Sequence, residues 1–97
     1  MNYGLKKSDL DEIISEIKKN LGSTLNPKIY IYGSRVKGNF REFSDIDLLL
    51  IADSYDTESL DKIDFSELDT PYKVDFVLEK DLFDAYKTEI FEHMKQL

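Results

Sequence analysis

The chain has 97 residues, enough for one compact domain with a modest core and not for two, so any second substrate-binding domain has to come from elsewhere. At 41% hydrophobic and 34% charged residues it has the composition of a soluble globular protein rather than a disordered one, and the absence of cysteine excludes disulfides and thiolate metal sites. A formal net charge of −7 argues against a protein that grips long nucleic acid by its backbone; it suits metal binding or a basic partner, and is also common on plain soluble surfaces.

No stretch approaches transmembrane length and the N-terminus lacks the apolar run of a signal peptide, so a cytoplasmic protein is the expectation. The first element is a helix from Ser8, with Asp11 three residues on in a capping-box arrangement and Leu10, Ile13, Ile14, Ile17 and Leu21 on one face. Lys18, Lys19 and Asn20 suit its C-terminal end, and Gly22 can stop it. Its apolar stripe is expected to pack on a sheet.

Lys28 to Tyr32, rich in β-branched and aromatic residues and preceded by Pro27, reads as a buried strand that runs into Gly33-Ser34. Tyr30 and Tyr32 share one face of it, where they could line a pocket; packing under a helix is the preferred reading. Gly33 lets the backbone approach a ligand, and Ser34 can cap a short helix ending at Val36 or Lys37 and closed by Gly38-Asn39. Amides and a hydroxyl would then face an anion.

Arg35, Lys37 and Arg41 follow the turn. Arg35 is read as a phosphate ligand able to offer a bidentate fork, Lys37 as either a phosphate ligand or a solvated loop residue, and Arg41 as solvated. Leu48 to Ile51 reads as a second buried strand with two carboxylates at its start. Asp45 and Asp47, two residues apart, leave one strand face as hard oxygen ligands suited to Mg²⁺ with phosphates completing the coordination.

After a loop over Asp53 to Thr57, Ser59 is expected to cap a helix with Leu60, Ile63 and Leu68 inward. Tyr72 to Leu78 alternates as a third strand, with Asp75 in its middle. A half-buried strand rarely keeps a carboxylate without a partner, so Asp75 is either functional or a solvent-facing edge residue beside Lys73. Lys80 to Gln96 reads as an amphipathic helix carrying Leu82, Phe83, Tyr86, Ile90, Phe91 and Met94 onto the sheet, with His93 on its surface.

Gly33-Ser34, the ten residues Arg35 to Ser44, and Asp45-Ile46-Asp47 together resemble the signature of the nucleotidyltransferase superfamily that includes DNA polymerase beta and the aminoglycoside nucleotidyltransferases. The motif is most similar to the minimal nucleotidyltransferases (MNT, the MntA type of antitoxin in HEPN/MNT pairs), and the resemblance runs from about Ser8 to at least Val77. It implies an α/β (α+β) nucleotidyltransferase fold over residues 1–97, a small mixed sheet with about four helices in the order αβαβαβα.

It also implies roles. Asp45, Asp47 and Asp75 would be the catalytic carboxylates and the ligands of two Mg²⁺ ions, and Gly33, Ser34, Arg35 and Lys37 would hold the phosphates of ATP. The expected activity is transfer of AMP to a hydroxyl, first of all a tyrosine of a HEPN-type toxin that is thereby silenced. A non-catalytic subunit that neutralises its partner by occlusion, and an antibiotic-type enzyme acting on a small molecule, stay open; templated polymerisation fits the charge least.

Overall fold

The computed structural model describes residues 2–97. Its elements are α1 (Lys7–Lys18), β1 (Lys28–Tyr32), the one-turn helix α2 (Ser34–Lys37), β2 (Ile46–Ile51), the one-turn helix α3 (Thr57–Leu60), β3 (Val74–Leu78), α4 (Asp84–His93) and β4 (Lys95–Gln96). Two 3-10 turns, Phe65–Glu67 and Glu79–Asp81, flank β3. The strands form one mixed sheet in the order β3-β2-β1-β4, with β2 antiparallel to β1 and parallel to β3.

Register sorts the side chains into two faces. Ile29 and Ile31 lie opposite Leu50 and Leu48, which lie opposite Leu78 and Phe76. These residues pack with Leu10, Ile13 and Ile17 of α1 into the main core. Full burial of each such side chain contributes roughly 1.5–3 kcal/mol. Because strand side chains alternate, Tyr30, Tyr32, Asp47, Leu49, Asp75 and Val77 leave the opposite face.

Local signals were partly overridden by tertiary contacts. Helix α1 begins at Lys7, with Lys6 as its N-cap and no side-chain cap bond, so the capping box of Ser8 and Asp11 does not form. The cap lies two residues ahead of Ser8, next to the buried Leu5, and Asp11 instead takes an exposed ion pair from Lys7 at 2.9 Å. Ser59 does not cap α3. Asp56 does, accepting from Ser59 N at 3.1 Å, and the same carboxylate accepts from Ser23 N at 2.9 Å, which ties α3 to the turn after α1.

The last segment departs most from expectation. In place of one helix from Lys80 to Gln96, α4 covers only Asp84–His93 and the chain then turns into β4, which pairs Gln96 with Tyr30 and Lys95 with Ile31. A two-residue strand carries no periodicity of its own, so nothing local announced it. Of the apolar residues expected to face the sheet, Ile90 is buried, while Phe83 is 76% and Tyr86 59% exposed. Among the described residues, no helix is long and apolar enough to cross a membrane.

Candidate active site

At the end of the sheet where β1 stops and β2 and β3 begin, Tyr32, Asp47 and Asp75 form one transverse row: Tyr32 is the register partner of Asp47, and Asp47 of Asp75. Neighbouring strands lie about 4.8 Å apart, so side chains at paired positions on one face are forced together. The effect is visible in their acidities. Burial, then the charges of Asp75 and Asp45, push the Asp47 carboxyl up from the ordinary carboxylate value to about 6. Burial, then Asp47 and Asp75, raise the Tyr32 phenol as well.

Gly33 stands directly behind this row. Its φ of 81° and ψ of −154° belong to a region that is essentially glycine's own, and a β-carbon built on it would collide with Asp47 Oδ2. The turn therefore requires glycine, and a side chain here would in addition push the Asp47 carboxylate from its place. Gly33, rather than Ser34, is the N-cap of α2, and Ser34 is its first residue. Gly38, left-handed at φ 86°, ends the helix after Lys37.

The cations sort differently from the sequence expectation. Arg35 is 2% exposed and belongs to the scaffold: its guanidinium donates to the carbonyls of Tyr3, Glu42 and Ser44 and lies about 5 Å from the rings of Phe40 and Tyr72. An Arg donates through a rigid fork, and here that fork clamps the N-terminal turn and the 40–44 loop, so it is not a free phosphate ligand. It still acts on the site, as the charge that opposes the rise at Asp47. Lys37 is paired with Glu89 of α4.

Asp45 lies one residue ahead of β2, exposed, outside the strand but near enough for its charge to raise the Asp47 carboxyl. Asp75 is half-buried, and Lys73 Nζ stands 3.7 Å from its Oδ1, so it faces both Asp47 and the solvent edge of β3. Among the described residues, no group of three or more histidine and acidic side chains is close enough to enclose a metal ion. Magnesium commonly takes one or two carboxylates and leaves its other positions to water and phosphate, and the donors here fit that chemistry. An accumulation of negative charge that already raises Asp47 is what a dication would relieve.

Two residues were not legible as site members. Tyr32, read as core, lies in the row itself. His93, read as a surface residue, accepts the Gly33 amide proton on Nε2 at 3.0 Å. The two are sixty positions apart, and a single histidine without a spaced partner carries no motif.

A family model described as "Nucleotidyltransferase domain" matches residues 5–97. Among solved structures, the chain is similar to one chain of a toxin–antitoxin complex with AMP-PNP, at 25% identity and TM-score 0.63, over 89% of this chain and 69% of that one. It shares its fold with a chain of a mutant MntA–HpeT toxin–antitoxin complex, at 22% identity and TM-score 0.64, over 89% and 69%. The same holds for a chain of the complex of tri-AMPylated Shewanella oneidensis HEPN toxin with MNT antitoxin, at 23% identity and TM-score 0.61, over 95% and 71%. No curated protein matches the sequence.

Proposed function

The chain belongs to the nucleotidyltransferase domain family, and from that premise we propose that it transfers AMP from ATP to a tyrosine hydroxyl of a HEPN-type helical toxin in the cytoplasm, and so acts as an antitoxin. The observation that carries the reading is the row of Tyr32, Asp47 and Asp75 with Gly33 pressed against Asp47. Support for the partner and nucleotide comes from the toxin–antitoxin complex with AMP-PNP, one chain of which is 25% identical to this one.

In this account Asp45 and Asp47 would hold Mg²⁺, with Asp75 alongside, and when bound the metal would neutralise the triphosphate and polarise the bond to the leaving pyrophosphate. Gly33 and Ser34 would present an amide and a hydroxyl to the terminal phosphates. Asp75 belongs to β3, the edge strand, where an acceptor can approach. It would orient the attacking hydroxyl and take its proton. The acceptor oxygen bonds to the α-phosphorus as the bond to the β-phosphate oxygen breaks, and pyrophosphate leaves. Arg35 stays in the scaffold and keeps the 40–44 loop, hence Asp45, in place.

The test uses the protein with a HEPN-type partner, Mg²⁺ and each nucleoside triphosphate in turn, read by intact mass of both chains. The partner should gain nucleoside monophosphate units with ATP, and Asp47→Ala should abolish the gain while leaving the complex intact. A stable complex with no mass change on either chain would contradict the proposal.

A further inference from the structure

Helix α4 ends beside the Gly33 turn, with Ile90 and His93 lining a cleft that Tyr32 and Gly33 share. Ile90 anchors the helix, and the pairing of β4 with β1, extended by Leu97 N donating to Ile29 O at 2.9 Å, fixes where its last turn lies. On that turn two side chains one helical turn apart, Glu89 and His93, reach the Lys37 ammonium and the Gly33 amide, two of the donors within reach of an anion at the Gly-Ser turn. His93 Nε2 accepts from Gly33 N, which requires a neutral imidazole with its proton on Nδ1, and Glu89 pairs with Lys37 Nζ. The cleft between α2 and α4, about 330 Å³, is lined by these four residues together with Tyr32 and Tyr86.

A carboxylate on the ammonium and a lone pair on the amide are the same complement a phosphate would offer. We infer that α4 is an internal ligand of the phosphate turn: a nucleoside triphosphate enters by displacing His93 from the Gly33 amide and Glu89 from Lys37. This rests on the nucleotidyltransferase reading for the identity of the anion; the occupied donors do not. The contacts are weak enough to exchange. The Lys37 and Glu89 side chains are 40% and 64% exposed, so solvent screens their attraction, and the bond from Gly33 is a neutral one. Together they hold nucleotide affinity back by about three- to tenfold rather than closing the site.

The experiment is calorimetric titration of MgATP into the native chain and into Glu89→Gln, His93→Ala, His93→Gln and the Glu89→Gln/His93→Ala pair. The double variant should bind about three- to tenfold more tightly than the native chain, and each single variant by a smaller factor. His93→Gln, whose side-chain oxygen can accept from the same amide, should stay near the native affinity. Glu89→Gln changes only an exposed side chain, so the test survives if His93→Ala folds poorly. Native-like or weaker binding in Glu89→Gln and the double variant, with nucleotide transfer intact, would overturn α4 as an internal ligand and leave the enzyme reading standing. Absence of MgATP binding in every protein would overturn both.

Discussion

On the α1 side of the sheet, Ile31, Ile46 and Leu48 are fully buried among aliphatic neighbours; on the other face of β1, β2 and β3, Tyr32, Asp47 and Asp75 crowd two carboxylates and a phenol into half-buried space. The backbone is shared, and so is the register. The first face gains stability from every side chain it buries, whereas the second loses some to the charges it keeps together. Such a loss persists in a fold when a ligand recovers it, and the carboxyl of Asp47, pushed up to about 6 by burial and by the charges of Asp75 and Asp45, carries part of that loss.

Substitutions on the two faces should therefore differ in sign. Leu48→Ala, which empties fully buried volume, should cost about 3–5 kcal/mol in chemical denaturation, a large part of the stability of a small domain. Gly33→Ala sits between the faces. The strained turn and the collision with Asp47 Oδ2 should destabilise the fold by about 2–3 kcal/mol and remove transfer activity, and a gain in stability would break the comparison.

Asp47→Asn should run the other way. An acid whose folded value is raised binds its proton more tightly when folded, so native stability falls as pH rises from the ordinary 3.8 toward 6. The variant should match the native chain below about pH 4 and exceed it by about 1–2 kcal/mol at neutral pH once solvent screening is allowed for, while losing activity. Asp56, on neither face, supplies the smallest effect. The Ser23 amide, then the Ser59 amide and hydroxyl, hold its carboxyl down at about 2, so its stabilising contribution is full above the unfolded value of 3.8 and is lost as pH falls through 2. Asp56→Ala should lower the melting temperature by a few degrees at neutral pH and by much less as pH falls toward 2.

The parts of this comparison that were legible in the sequence were the local ones. Strand β1 ended where Gly33-Ser34 said it would, Asp45 and Asp47 stood at the threshold of β2, and Asp75 in its alternating strand faced Asp47. Local chemistry encodes all of these. Arg35 was misread because charge beside a turn looks the same whether its donors meet phosphate or the carbonyls of Tyr3, Glu42 and Ser44. The bond from Gly33 to His93 and the pairing of Lys37 with Glu89 join residues more than fifty positions apart, and β4 exists only because β1 offers it an edge.

The most direct measurement is thermal unfolding of the native chain and of Asp47→Asn at neutral pH, with and without Mg²⁺ plus a non-hydrolysable ATP analogue. Without ligand the variant should melt higher. With ligand the native chain should gain and the variant should not, so that the gap narrows or reverses. A variant that is less stable without ligand, or that gains as much as the native chain with it, would contradict the account of the second face as a site that gives up stability to hold metal and nucleotide.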